Sequence, residues 1–331
     1  MARAARLRAL SHSRRNDRRK RSDCEHQIHR GEQGLSRLKQ ALETCADDVI
    51  DALAAYVPQS TDVDAKLYEA MRYSLMAGGK RLRPFLVLTS ADLFDVPRER
   101  AMPVAAAIEM VHTYSLIHDD LPAMDDDDLR RGKPTCHKQF DEASAILAGD
   151  ALLTQAFEIV ARTDAHPDPA VRAEICYELA VAAGAPGMVG GQVMDLAAEA
   201  AAAPFDLDTI IRLQNRKTGA LIRFSCEAGA ILAGMAGDVR ASLQNYADSI
   251  GLAFQIADDL LDHEGDEAAM GKAVGKDAAA GKATFVGLLG VDGARAKAEA
   301  LVAEAVAELA PFGDRAGLLR DVAQYIIDRK N

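Results

Sequence analysis

From about Leu35 onward, apolar residues recur at three- and four-residue spacing almost without interruption, and that period admits little besides α-helix. The pattern is clearest over Leu38–Tyr56, Ala65–Ala77, Pro103–Leu121, Ser144–Arg162, Ala170–Ala183, Leu207–Ala233, Ser242–Leu261 and Ala294–Leu309. Ala, Leu, Glu, Lys and Arg, the better helix formers, dominate these stretches. Turn chemistry interrupts them at Gly78-Gly79, Pro97, Pro167 to Pro169, Gly184 to Gly191, Pro204 and Gly234 to Gly237. No alternating run flanked by turns reads as a strand. The expectation is one all-α domain over residues 35–331, a bundle of ten or more helices. No apolar run approaches the roughly 20 residues that a bilayer requires, so no membrane span is expected.

Residues 1–34 lie outside that pattern. Up to residue 33 they hold ten Lys/Arg against four acids, a net +6. The chain as a whole carries −11, so the remainder carries −17. The basic leader reads as a disordered tail, as sequence upstream of the true start, or as a transit peptide, since its first sixteen residues contain no acid. The acidic body argues against nucleic acid as the main partner and suits a protein that collects divalent cations. Five cysteines are scattered with no CxxC pair, which fits a reducing, cytoplasmic compartment and no zinc site.

Two acidic clusters stand out. In FQIADDLLD, Asp258 and Asp262 are one helical turn apart, which puts their carboxylates about 5–6 Å from each other on one face. Asp259 lies beside them, and Phe254, Ile256, Leu260 and Leu261 make the segment apolar. Acids on a buried helix are costly without partners, and Mg²⁺ bridging to phosphate resolves that cost. The alternative is a solvated acidic face. The second cluster, DDLPAMDDDD, includes Asp119, Asp120 and Asp125 at the end of a long apolar stretch. Pro122 lacks an amide hydrogen, so the helix should bulge or kink there and bring Asp119 and Asp125 to one side. The spacing does not fit a calcium EF-hand loop.

Carboxylates that gather Mg²⁺ imply an anionic substrate, and basic residues follow each cluster. GGKRLRP offers Lys80, Arg81 and Arg83 behind a Gly pair; Arg130 and Arg131 follow the first cluster directly; Lys217, Lys272 and Lys282 lie later in the chain. Arg forks grip phosphate oxygens bidentately, and Lys adds point charge. The chain lacks a P-loop and a dinucleotide fingerprint, and it offers no nucleophile with a base partner. The residues suit diphosphates and metals, not covalent catalysis.

With GGKRLRP, DDLPAMDDDDLRRG, GQVMD, KTG, FQIADDLLD and GKDAAAGKATF in that order, the sequence resembles the trans-isoprenyl diphosphate synthases, nearest to their bacterial farnesyl-forming members. The resemblance spans roughly Leu38 to Arg329 and implies the isoprenoid synthase helical bundle, usually as a homodimer. It implies three Mg²⁺, with Mn²⁺ as a possible substitute, ligated by Asp119, Asp125 and Asp258 and supported by Asp120, Asp259 and Asp262. It implies that Arg130, Lys217 and Lys282 bind an allylic diphosphate, while Gly79, Lys80, Arg83, His112 and Arg131 hold isopentenyl diphosphate. The carbonyls of Lys217 and Thr218 and the Gln255 side chain would face the allylic cation. Gln192 and Asp195 would line the site, and Lys272 would cover it.

Ser115 lies one turn, about 5.4 Å, below Asp119, with Tyr114 beside it. In the family resembled, bulk at these two positions limits chain length, and Tyr114 with Ser115 implies a C15 product. Three other readings compete. A geranylgeranyl or longer product needs a smaller residue at 114. A terpene synthase needs no isopentenyl site. A non-catalytic subunit of a synthase complex should have lost an Asp cluster.

Overall fold

The computed structural model describes residues 34–264 and 284–328. The chain divides into two compact units, Met1–Ala41 and Leu42–Asn331. Of the first, the described residues 34–41 are helical. The second is the helical bundle.

Helix α1 covers residues 42–56. It is followed by α2 (Ala65–Leu75), α3 (Leu82–Asp92) and α4 (Arg98–Asp119). A two-stranded hairpin, β1 (Leu129–Arg130) and β2 (Lys133–Pro134), precedes α5 (Cys136–Gln139), α6 (Glu142–Ala161), α7 (Pro169–Ala183), α8 (Met188–Glu199) and α9 (Leu207–Gln214). A π-helical turn, Asn215–Gly219, leads without a break into α10 (Ala220–Leu232). Then come α11 (Asp238–Glu264), α12 (Phe285–Glu308), a 3₁₀ stretch (Ala310–Ala316) and α13 (Gly317–Asp328).

The all-α expectation holds, with one exception among the described residues: the hairpin, in which Leu129 pairs with Pro134 and Arg130 with Lys133. Arg131 and Gly132 at its tip have φ of 55° and 74°. Two positive φ values make a type I′ turn, whose twist matches that of paired strands. No alternating run announced it, because two-residue strands are too short to show a period.

Helices start where side chains satisfy their orphan amides. Asp141 accepts the Ser144 amide at 2.7 Å before α6, Asp206 the Thr209 amide at 2.9 Å before α9, and Thr284 the Gly287 amide at 3.0 Å before α12. Helix α4 begins at Arg98, five residues earlier than the pattern suggested, and runs through Pro103.

Helices α3, α4 and α10 form the centre. Every residue from Pro84 to Ala91 in α3 and from Phe224 to Leu232 in α10 is buried. The α3–α10 crossing is tight at Gly229, where a Cβ would lie 2.3 Å from the Ala91 nitrogen. Ser90 stitches it, accepting the Gly229 amide at 3.2 Å and donating to the Val87 carbonyl at 2.9 Å. Around this centre, α6 packs on α4 and α2, α11 on α10, and α12 and α13 on α11.

The sequence reading that no run nears membrane-span length needs correction for α6. Its twenty residues are long and apolar enough on composition to cross a bilayer. Leu152, Ala156 and Ile159 are nonetheless buried, in a helix packed against α4, as in the core of a bundle. Ile146 and Leu147 remain exposed on it.

Candidate active site

The first acidic cluster is built by ending α4, not by kinking it. Pro122 cannot donate, and the helix stops at Asp119. The Leu121 amide donates to the His118 carbonyl at 3.2 Å, and the Asp125 amide returns to the Asp119 carbonyl at 2.9 Å. The chain thus folds back and places the two acids side by side, as the spacing required, by a different route from the bulge expected. Asp119 is half-buried, and among the described residues its carboxylate takes no hydrogen bond. Burial pushes its pKa up to about 6; Lys217 pulls it down and Asp125 pushes it further up.

Asp120 has a different role. It is buried, and Arg130 forks it, with Nε 2.7 and 2.9 Å from its two carboxylate oxygens. Burial raises the Asp120 carboxyl, and the guanidinium opposes that rise. Arg130, expected on an allylic diphosphate, here fastens β1 to the end of α4.

That hairpin aims Arg131. Its Nη1 donates to the Gly78 carbonyl, and its guanidinium lies flat against Gly79, where a Cβ would come within 2.6 Å of the arginine carbon. Gly79 also has φ of +116°, so glycine is required there twice over. Beside this contact opens a cavity of about 320 Å³. Gly79, Lys80, Arg83, His112 and Arg131 all line it, so the five residues expected to hold one diphosphate converge. Phe254, Val322, Tyr325 and Ile326 add an apolar wall.

The electrostatics of this cavity are one-sided. Its lining carries four basic side chains, Lys80, Arg81, Arg83 and Arg131, and one carboxylate, Glu109. Arg81 already bonds Glu109 and the Leu75 carbonyl, with both side chains of the pair almost fully buried. Arg83 has a buried Nε with no hydrogen-bond partner among the described residues. Burial lowers its pKa and, foremost, that of His112; the surrounding arginines push His112 lower still, well below its ordinary value. In the unliganded cavity both effects favour the neutral imidazole of His112.

On the far side, α11 carries Asp258, Asp259 and Asp262, all half-buried on a helix whose Ile256, Ala257 and Leu260 are buried. Asp259 accepts the Phe285 amide at 2.7 Å and so seats the start of α12. One turn earlier, Gln255 donates to the Gln214 side chain at 2.9 Å, just ahead of the π-turn.

The π-turn holds Lys217 and Thr218. Single π-turns inside α-helices commonly mark functional sites. Lys217 Nζ donates to Asp195 of α8 at 2.6 Å. Gly191, one turn before Asp195, lets α8 approach: a Cβ there would sit 2.2 Å from the Lys217 nitrogen. The neighbouring Gln192 has both amide atoms buried with no partner among the described residues. Asp119 lies within the electrostatic reach of Lys217 in the π-turn, and α11 packs against the same turn, with Gln255 bonded to Gln214 just ahead of it.

Among the described residues no three Asp, Glu, His or Cys groups form a metal cage on their own. Below Asp119, Tyr114 is buried and stacks edge-on against His118, with centroids 5.7 Å apart, while Ser115 donates to the His112 carbonyl at 2.9 Å. Lys272 and Lys282 lie outside the described residues.

The sequence reading passed over Glu109, Gly191 and Tyr325. Glu109 had a signal: it is the sole acid in the apolar run Val104–Val111. Gly191 opens GQVMD but carries no side chain to suggest a role.

Residues 64–311 match the family model described as polyprenyl synthetase. The chain is 47% identical to the farnesyl diphosphate synthase of Escherichia coli (strain K12) over 88% of this chain and 98% of that one. It is 44% identical to the geranylgeranyl diphosphate synthase of Cyanophora paradoxa, covering 80% and 88% respectively. Among solved structures, an FPP/GFPP synthase from Zymomonas mobilis superposes with a TM-score of 0.82 at 52% identity, over 88% of this chain and 99% of that one.

Proposed function

The chain belongs to the polyprenyl synthetase family, and from that membership we propose that it is a farnesyl diphosphate synthase. It condenses isopentenyl diphosphate head-to-tail with dimethylallyl and then geranyl diphosphate, giving (2E,6E)-farnesyl diphosphate and diphosphate. The observation that carries this reading is the cavity whose lining brings Lys80, Arg81, Arg83 and Arg131 together with a single carboxylate, Glu109, itself taken by Arg81. Such a concentration of positive charge, with Arg83 half-buried and Lys80 and Arg131 at the surface of the cavity, attracts an anion. A diphosphate matches it in charge, and Arg forks match phosphate oxygens in geometry.

Lys80, Arg83 and Arg131 bind that diphosphate, and His112 offers it an imidazole N–H. The apolar wall of Phe254, Val322 and Ile326 suits the isopentenyl chain. Lys217 and Arg130 hold the allylic diphosphate, with Lys282 as a further partner. A π-turn winds five residues where an α-turn winds about four, so a carbonyl near Lys217 and Thr218 leaves the regular ladder. That carbonyl, with the Gln255 oxygen, is suited to face an allylic cation. Gln192 and Asp195 line the approach, and Lys272 covers it. The buried helices around them keep out water that would quench the cation.

The family is magnesium-dependent. Asp119, Asp125 and Asp258 are the proposed ligands of three Mg²⁺, with Asp120, Asp259 and Asp262 in support and Mn²⁺ as a substitute. The donors fit: they are hard oxygens in ones and twos, and Asp119, raised by burial and unbonded, gains from a cation nearby. Mg²⁺ keeps several waters and is completed by substrate phosphates, so no closed cage is needed. When bound, it supplies Lewis acidity to the departing diphosphate. That diphosphate also accepts the proton lost in the final step, which leaves no task for a dedicated protein base.

We further propose a homodimer, supported by exposed Ile146 and Leu147 on α6 and Val189 and Val193 on α8. A cytoplasmic setting suits the four free cysteines among the described residues. The test is incubation with isopentenyl and dimethylallyl diphosphates, with Mg²⁺ and with chelator, followed by product sizing. Mg²⁺-dependent C15 product is expected; mainly C20 or longer product overturns the farnesyl reading, and none at all overturns the activity.

A further inference from the structure

The C-terminal helix contributes to the cavity in a way that its apolar pattern conceals. Leu319, Val322 and Ile326 form its buried stripe, and Tyr246 Oη ties it down by donating to the Leu319 carbonyl at 2.7 Å. Tyr325 stands beside that stripe, at the mouth of the cavity that also holds Gly79, Lys80 and Arg83. Lys80 Nζ donates to the Tyr325 hydroxyl at 3.2 Å and lies 5.6 Å from its ring centroid. The phenol oxygen is the acceptor in that bond, so its own hydrogen is directed elsewhere. Ammonium and hydroxyl thus present adjacent donors, spaced to meet two oxygens of one phosphate group.

We infer that Tyr325 is a positioning residue for the isopentenyl diphosphate site. Its ring and oxygen fix the long Lys80 side chain over the cavity before substrate arrives. Its hydroxyl hydrogen then donates to the same phosphate group that Lys80 engages. A free lysine side chain loses much rotamer freedom when it binds, and prior restraint by Tyr325 removes part of that loss. The inference rests on the reading of this cavity as the isopentenyl site, and its test separates the two.

Wild type, Tyr325→Phe, Lys80→Ala, the double variant and Arg83→Ala are compared by steady-state kinetics with each substrate varied in turn, and by thermal melting. Tyr325→Phe retains the ring and removes only the hydroxyl. Its KM for isopentenyl diphosphate should rise about tenfold, the range for a hydrogen bond to a charged group, while the KM for dimethylallyl diphosphate and the melting temperature stay put. In the Lys80→Ala background the same substitution should cost about threefold or less, because the two groups act together. An unchanged isopentenyl KM in Tyr325→Phe overturns the inference, as do equal effects in both backgrounds. A parallel rise in the allylic KM or a fall in melting temperature assigns Tyr325 a structural role and overturns it equally. If Arg83→Ala leaves the isopentenyl KM unmoved, the cavity is not that site and the parent reading fails, whatever Tyr325 does.

Discussion

The amide of Asp125 donates to the carbonyl of Asp119 at 2.9 Å, closing the seven residues from Asp119 to Asp125 into one return of the chain. This bond sets two acids side by side at the end of a buried helix, and among the described residues no hydrogen bond reaches the Asp119 carboxylate.

That arrangement has a pH signature. Burial and Asp125 raise Asp119 from 3.8 to about 6 in the folded chain. A raised carboxyl favours the folded state fully below about pH 4, and that contribution is lost as pH rises through about 6. Without metal, Asp119→Asn should therefore melt a few degrees higher than wild type at pH 7.5, on the order of 1–2 kcal/mol, and no higher below pH 4. The same variant should lose about 10³-fold in kcat. Equal melting temperatures at pH 7.5 in chelator would show that Asp119 is not strained.

Gly79→Ala should attack one substrate and spare the other. The new Cβ meets the Arg131 guanidinium at 2.6 Å, at a φ of +116° that alanine rarely adopts. Displacing Arg131 should raise the isopentenyl diphosphate KM by about tenfold or more and leave the allylic KM nearly unchanged. Comparable increases in both would place Arg131 elsewhere in the reaction.

Gly191→Ala should act through the π-turn. Its Cβ would fall 2.2 Å from the Lys217 backbone nitrogen, which cannot move without the turn. We expect kcat to drop about 10²-fold, the scale of a small misplacement of catalytic groups. Full activity in a folded Gly191→Ala protein would show that the α8 contact is dispensable.

Glu109→Gln should unfold before it fails to bind. Removing one partner of the buried Arg81–Glu109 pair leaves a charge uncompensated, and such breaks typically cost about 3–5 kcal/mol. Urea denaturation measures this directly, and a loss near zero would mean that water reaches Arg81.

Tyr114→Ala should lengthen the product. Tyr114 is 6% exposed and its ring is held against His118. Chromatography of the dephosphorylated products should show C20 or longer chains in place of C15, and an unchanged product would put the floor of the chain pocket on another residue.

The amphipathic helices were legible because their apolar stripe repeats with the helical period. Helix α3 was harder: with every residue from Pro84 to Ala91 buried, it has no polar face to mark a period. The acids and bases of the site were legible as clusters, but their division of labour was not. Nothing in DDLPAMDDDD tells that Asp120 turns inward to Arg130 while Asp119 stays open, because that choice depends on where the hairpin lands. Nor does Asp259, adjacent to Asp258, advertise that it holds the Phe285 amide. Glycines at 79 and 191 matter for the neighbours they admit, and those neighbours come from distant segments.

The π-turn at Asn215–Gly219 carries a constraint on how this chain can change its length. A π-turn holds one residue more than the α-turn it replaces, so a single deletion there is taken up by reversion to plain α-helix. From Leu221 to Leu232 nearly every side chain is buried, and a deletion inside that stretch would turn the rest of α10 by about 100° and bring each buried side chain to the wrong neighbour. The extra residue in the turn is in that sense slack in the winding, and Lys217 sits where the slack is held.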